Sequence, residues 1–326
     1  MYVIAEIASA HDGDYNIAKK IINSAINSGA DAIKLQVFKR NSLLIKTNPY
    51  YENFGEVELT DDNWLKLIAK ISKKNIDLII EPYDLESFKL CESTGFIQSY
   101  KIPASSLNDR DLMSEVKITK KPVYIGVGGA KKIEIKKIAS LFDKELITLL
   151  TGFQNFPTKI EDSNLWQISK LKKDYKCNIG YADHTDAEDM AMRFIIPSMA
   201  VAKGATIIEK HITDDRSRKG RDYFSALEPN EFKQFVNLMH QLHEVVGNDN
   251  DWVLSKAEIE YRKFSKKVAV TSRSISSGEK FESSDVVFKR TNDEGLSLFD
   301  IETFFGKTFN KAKKVDEPIN KDDFCE

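Results

Sequence analysis

The strongest constraint on this chain is a rhythm. Short apolar runs alternate with longer amphipathic stretches from the first residues to Gly247. The runs are Tyr2–Ala8, Ala32–Phe38, Ile76–Ile80, Ser99–Ile102, Pro122–Val127, Leu146–Leu150, Asn178–Tyr181 and Thr206–Glu209. Helical spacing of apolar residues marks the stretches near Tyr15–Ser28, Asp61–Lys74, Leu85–Ser93, Arg110–Val116, Lys131–Phe142, Ser163–Lys173, Ala187–Lys203 and Glu231–Val246. Such alternation predicts βα units and a parallel sheet. Eight units in about 245 residues match the size of a (β/α)8 TIM barrel. An open doubly wound sheet is the rival, but no GxGxxG or Walker-type loop follows any of the runs.

After Gly247 the rhythm stops. Residues 248–264 read as a linker, a turn-rich polar run followed by a charged helix over Trp252–Lys263. Residues 265–326 read as a small β-rich domain with strands at Lys267–Thr271, Asp285–Lys289 and Gly306–Phe309. A unit of roughly 60 residues is marginal alone, so it is expected to dock on a barrel, its own or a partner's. A formal net charge of −2 supplies no field for nucleic acid or an anionic membrane surface. Three cysteines without metal or disulfide spacing fit a reduced, cytoplasmic setting, and neither a basic leader nor a long apolar segment is expected to target or anchor the chain.

Chemistry in a barrel collects at the C-terminal ends of the strands. The run Thr206–Ile207–Ile208–Glu209–Lys210–His211 ends in a histidine. Side chains alternate faces along a strand, so Glu209 and His211 share one face and Lys210 takes the other. A second strand end repeats the setting at Asp183–His184, and two histidines on neighbouring strands read as metal ligands. Lys34, with Gln36 on the same face, and Lys101 lie inside apolar runs. A buried ammonium is costly unless it meets an anion, so the two lysines point to a bound phosphate or carboxylate. The alternative is a structural ion pair with Glu6 or Glu81. His11, on the first βα loop, is placed to cap the same mouth.

These residues resemble the sialic acid (nonulosonic acid) synthases. Ala5–Glu6–Ile7 with His11–Asp12–Gly13 resembles the family's opening motif, and Gly29–Ala30–Asp31–Ala32–Ile33–Lys34–Leu35–Gln36 its second. Gly180–Tyr181–Ala182–Asp183–His184–Thr185 and Ile208–Glu209–Lys210–His211 are similar to its histidine motifs, followed by Asp222 and Ser225–Ala226–Leu227–Glu228–Pro229. The C-terminal domain resembles the antifreeze-like (SAF) domain through Ser277–Gly278–Glu279, Lys289–Arg290 and Phe305–Gly306–Lys307.

The resemblance implies condensation of phosphoenolpyruvate with the aldehyde of an N-acylated hexosamine, giving a nine-carbon 2-keto-3-deoxy acid and phosphate. It implies that His184 and His211 hold a divalent metal, Mn2+ with Mg2+ or Co2+ as alternatives. Lys34 and Lys101 would neutralise the donor, Gln36 would orient the reactants, Glu6 would handle a proton and Asp222 would contact the sugar. His11, Ser105, Gln154, Phe156 and Asp183 would complete the substrate contacts. In a domain-swapped homodimer, Arg290 would reach the partner's barrel mouth.

Some positions depart from the family pattern. Ala10 and Ala104 replace an Asn and a Ser, with Ser105 and Ser106 close by, and Gly126–Val127–Gly128 replaces a Ser-Thr-Gly. Gln154 and Phe156 stand where the family has Ser or Asn and Tyr. The metal and lysine positions are intact while acceptor and phosphate hydroxyls differ, which reads as a changed acceptor. Two other readings stay open: a synthase acting on a phosphorylated sugar, bound through Arg216, Arg218, Lys219 and Arg221, or a catalytically silent carbohydrate-binding barrel.

Overall fold

The computed structural model describes residues 1–153, 155, 157–247 and 253–325. Two compact units divide at Gly247. In the first, eight strands close into a barrel in chain order: β1 (Tyr2–Glu6), β2 (Ala32–Val37), β3 (Asp77–Pro82), β4 (Ser99–Ile102), β5 (Val123–Gly126), β6 (Ile147–Thr151), β7 (Asn178–Asp183) and β8 (Ile207–His211). Every neighbouring pair is parallel, and β1 returns to β8 with Ile4 opposite Glu209 and Glu6 opposite His211. The period-2 alternation sorts each strand into an inner and an outer face. Inside lie Ile4, Ala32, Ile79, Tyr124, Leu150 and Ile207, a packed apolar plug. Outward residues such as Val3, Ile33, Ile80 and Ile208 join the larger core under the helices.

Those helices are α1 (Tyr15–Ser28), α2 (Arg40–Leu43), α3 (Tyr51–Val57), α4 (Asp61–Ile71), α5 (Leu85–Glu92), α6 (Arg110–Ile118), α7 (Lys132–Ala139), α8 (Trp166–Tyr175), α9 (Met192–Ala202) and α10 (Pro229–Val246). Asp14 caps α1 by accepting from the Asn16 and Ile17 amides, and Gly29 ends the helix in the left-handed region at φ 81°. The short helices α2 and α3, within the connection from β2 to α4, have too few turns to leave a periodic signal in the sequence. The helix expected from Ala187 starts only at Met192, because Asp186 and Asp189 hold the intervening amides in side-chain turns.

The connection carrying α3 is seated by a glycine. Gly13 has φ 78°, and a Cβ there would overlap the Glu56 carbonyl oxygen. Gly13→Ala is therefore expected to cost about 2–3 kcal/mol, from left-handed strain plus displacement of α3. A chemical denaturation midpoint unchanged from wild type would refute this.

At the N-terminus of α10, Glu231 accepts from Arg216 at 2.6 and 3.1 Å and from Arg193 at 2.7 Å. Burial alone would raise its carboxyl, but the two guanidiniums and the Glu228 amide hold it at about 2. A carboxyl depressed in the folded state stabilises above its unfolded pKa, and that stability is lost as pH falls. Between about pH 4.5 and 2, Glu231→Gln is expected to flatten the wild-type decline by on the order of 2 kcal/mol. Parallel stability–pH curves for the two proteins would contradict this.

The second unit has its own core of Ala269, Ile275, Phe281, Leu296, Ile301, Phe309, Ile319 and Phe324. It begins in the described residues with α11 (Lys256–Ser265), then pairs β9 (Val268–Thr271) antiparallel with β10 (Val286–Lys289). The third strand expected at Gly306–Phe309 does not form. Gly306 takes φ 86°, and only the isolated bridges Lys280 to Thr308 and Phe309 to Phe324 follow it. Among the described residues no helix is long and apolar enough to cross a membrane.

Candidate active site at the mouth of the barrel

Above the apolar plug, the inner faces of five strands change character. Glu6, Lys34, Glu81, Lys101 and Glu209 are all at most 2% exposed and form one ionic network. Lys34 contacts Glu6 and Glu81 and lies 3.1 Å from Glu209, while Lys101 lies 2.6 Å from Glu209 and 3.6 Å from Glu81. The structural ion pair is thus what both lysines make, with three carboxylates in place of one. Three carboxylates against two ammoniums leave one net negative formal charge. Burial would raise Glu209, but Lys101 and Lys34 overcome it and hold the carboxyl at about 2. At Lys34 burial prevails and lowers the ammonium to about 8, whereas at Lys101 the pull of Glu209 and Glu81 outweighs burial and raises it.

On this floor rests a cavity of about 190 Å3, lined by Ser9, Gln36, Phe38, Phe54, Tyr83, His184, Glu209, His211, Arg221 and Asp222. His211 ends β8 and His184 follows β7, and their ring centroids are 5.1 Å apart. Burial lowers the His184 imidazole to about 4, and burial with the adjacent His184 ring lowers His211 well below its ordinary value. Both are neutral at pH 7, the form that ligates metals. Among the described residues no group of three or more His, Cys, Asp or Glu gathers as a complete cage. The donor set fits a cation that keeps open positions for water and substrate. Glu209 Oε2, beside the pair and without a hydrogen-bond partner, adds negative potential toward it.

Asp222 reaches the cavity from the loop after β8 and accepts from the Ser9 amide at 3.1 Å. Its carboxyl is raised by burial. Asp12 ties that loop down, accepting from the Arg221 amide at 2.8 Å and from the Arg218 guanidinium at 2.7 Å. Tyr83, Phe38 and Phe54 supply the aromatic part of the lining. Phe38 meets Phe54 at 5.2 Å and Tyr83 at 6.4 Å between centroids, both edge-on.

The structure gathers Gln36, Asp222, His184 and His211 around one space and sets Lys34 and Lys101 in its floor. Other expected contacts lie elsewhere. Glu6 is not among the residues lining the cavity; its Oε1 accepts from the Ala8 amide at 2.6 Å and its Oε2 contacts Lys34. Asp183 faces outward and pairs with Lys210 at 2.6 Å, because Ala182 and His184 occupy the inward phase. His11 packs edge-on against Trp64 at 5.7 Å, and its Nδ1 accepts from the Gly13 amide, so it closes the core instead of the mouth. Ser105 lies exposed on the turn after β4, outside the cavity lining. Gln154 and Phe156 fall outside the described residues. Arg290 is exposed in the second unit.

Two of the departures from the family pattern prove to be neighbours. A Cβ at Gly126 would stand 3.0 Å from the Ala104 amide nitrogen, so the small residue lets these two loops close up. Sequence reasoning missed Ser9 and the aromatic wall. A phenylalanine just past a strand reads as core, and the short helices after β2 leave no periodic signal that would mark the wall.

Comparisons with known proteins agree with this geometry. The chain is 31% identical to the N,N'-diacetyllegionaminic acid synthase of Campylobacter jejuni over 98% of both chains. It is 28% identical to the pseudaminic acid synthase of the same species, over 99% of this chain and 96% of that one. The crystal structure of N-acetylneuraminic acid synthetase from Leptospira borgpetersenii superposes with a TM-score of 0.73 at 29% identity, covering 80% of this chain and 90% of that one. The NeuB family model matches residues 21–251, from the first barrel helix to beyond the last. A barrel whose mouth holds these side chains, matched over most of its length, places the chain in the NeuB family of nonulosonic acid synthases.

Proposed function

We propose that the protein condenses phosphoenolpyruvate with the open-chain aldehyde of an N-acylated hexosamine. The observation that carries this reading is the pair of neutral, buried imidazoles converging above a charged floor at the barrel mouth. In the reaction a C–C bond forms between the donor's methylene carbon and the aldehyde carbon. Water adds at the neighbouring carbon and phosphate leaves. When bound by His184 and His211, a divalent cation, Mn2+ before Mg2+ or Co2+, would polarise the aldehyde oxygen and turn the net charge of the floor from negative to positive, the sign that holds a multiply anionic donor.

The protein's own residues supply position and proton handling. Gln36 orients the reactants through its amide. Asp222, raised by burial, is poised to exchange a proton with a sugar hydroxyl or the attacking water. Glu6 and Glu81 hold the lysines in place from below. The second unit, in this reading, is the SAF domain of the family, with Arg290 serving a partner's barrel in a swapped homodimer.

A sugar phosphate is the less favoured acceptor. Arg216 is committed to Glu231 and Arg218 to Asp12 and Asp214, and Arg221, which lines the cavity beside Asp222, lies 3.5 Å from Glu56 and donates to the Asn53 carbonyl. The test is release of phosphate from phosphoenolpyruvate with Mn2+ across N-acetylmannosamine, its 6-phosphate and diacetamido-trideoxyhexoses. Release that requires one of these sugars supports the reading. No release with any of them, with Mn2+ bound, would reject it.

A further inference from the structure

Two charged side chains that the chemistry at the mouth leaves unused, Asp183 and Lys210, are completely buried. Each is next in sequence to one of the histidines, Asp183 before His184 and Lys210 before His211. They stand opposite one another in the β7–β8 register, and neither lines the cavity. Lys210 Nζ donates to Asp183 Oδ2 at 2.6 Å and to the Thr185 carbonyl at 3.2 Å. Asp183 Oδ1 accepts from the Thr185 hydroxyl at 2.6 Å and from the Thr185 amide at 3.4 Å. His184 is therefore bracketed: the residues before and after it are tied to each other and to the next strand. Its own carbonyl accepts from the Ser225 hydroxyl at 2.8 Å and from the Thr158 amide at 2.9 Å.

We infer that Asp183 and Lys210 are positioning residues, a buried latch between the ends of β7 and β8 that sets how the His184 and His211 rings face each other. A buried ion pair is weak evidence for net stability, because desolvation offsets much of its attraction. An apolar pair of similar volume would fill the same space at no such cost. It could not, however, accept from Thr185 and donate to the Thr185 carbonyl at once, and so hold the turn that carries His184. The two rings lie 5.1 Å apart between centroids, and each leaves the strand one residue beyond a member of the pair. Any slip of one strand end against the other changes that spacing directly. The latch itself is argued from the fold; its consequence for a divalent cation rests on the synthase reading, since groups that orient metal ligands commonly govern affinity by tenfold or more.

The test uses two variants of the full-length protein and two readouts other than turnover. Asp183→Asn keeps the side-chain volume and an oxygen for Thr185, and removes the charge that Lys210 meets. The double variant Asp183→Asn/Lys210→Met leaves no unpaired buried charge, which guards against simple unfolding. Denaturation midpoints establish that each variant is folded where it is measured. The contact between the His184 and His211 rings is followed by NMR with isotope-labelled histidine in metal-free protein. Mn2+ binding is titrated by electron paramagnetic resonance. The ring contact seen in wild type is expected to be lost in both variants. Mn2+ affinity is expected to fall about tenfold in Asp183→Asn and further in the double variant. An intact ring contact overturns the inference: with unchanged Mn2+ affinity the pair is structural only, and with weakened affinity it acts by charge and not by position. Loss of the contact in the variants, with no Mn2+ taken up even by wild type, keeps the latch and rejects the cation of the synthase reading.

Discussion

Replacing His211 by alanine is expected to reduce phosphate release from phosphoenolpyruvate by at least about a thousandfold while leaving the fold intact. A thousandfold corresponds to about 4 kcal/mol of lost transition-state stabilisation, within what one ligand of a Lewis-acid site can account for. His211 is 3% exposed at the end of β8, and its ring faces the cavity and the His184 ring. Truncation opens space into an existing cavity and leaves the β1–β8 ladder in place, so stability should fall by only about 1–2 kcal/mol. Mn2+ binding, read by electron paramagnetic resonance, should weaken together with activity. His184→Ala should behave alike, and the double variant should be little worse than either single one, because two ligands of one ion act as a unit. Retained phosphate release in either single variant would remove the histidine pair from the chemistry.

The second large effect concerns stability. Lys34→Met is expected to cost about 3–5 kcal/mol at neutral pH, since it leaves buried carboxylates without their ammonium. Lys34 touches Glu6, Glu81 and Glu209, and only Lys101 would remain to balance all three. The loss should shrink as pH is lowered from 8 to 5.5, because an unpaired buried carboxylate then takes up a proton at less cost. Adding Glu81→Gln should recover part of it, which a double-mutant cycle measures as coupling. Denaturation midpoints insensitive to pH, or strictly additive losses, would mean that the network is not the unit drawn here.

The barrel was legible because its signal is local and repeated. Each strand announces itself by an apolar run, and the period-2 rule placed Glu209 and His211 on the opposite face from Lys210 before any coordinates. Lys34 and Lys101 were conspicuous as charges inside such runs. Their partners were not, because pairing two lysines with glutamates of β1, β3 and β8 depends on barrel closure and tilt, which no window of sequence contains. The same period-2 rule, applied to Asp183 and His184, would have shown that adjacent strand residues cannot both face the cavity. Nor does composition tell a phenylalanine lining a cavity from one filling a core. Phe38 and Phe54 become a wall only once α3 folds over the mouth.

Glu6 is synthesised about two hundred residues before His211, yet the two lie side by side where β1 meets β8. Translation therefore delivers the lysines and two of the glutamates well before Glu209, which touches both ammoniums. A nascent chain halted short of β8 carries two ammoniums and two carboxylates without the glutamate that touches both lysines, and no histidine pair. Activity is thereby confined to chains synthesised through the closing strand, and an interrupted polypeptide is silent by construction, exposed to proteases before it can act on anything.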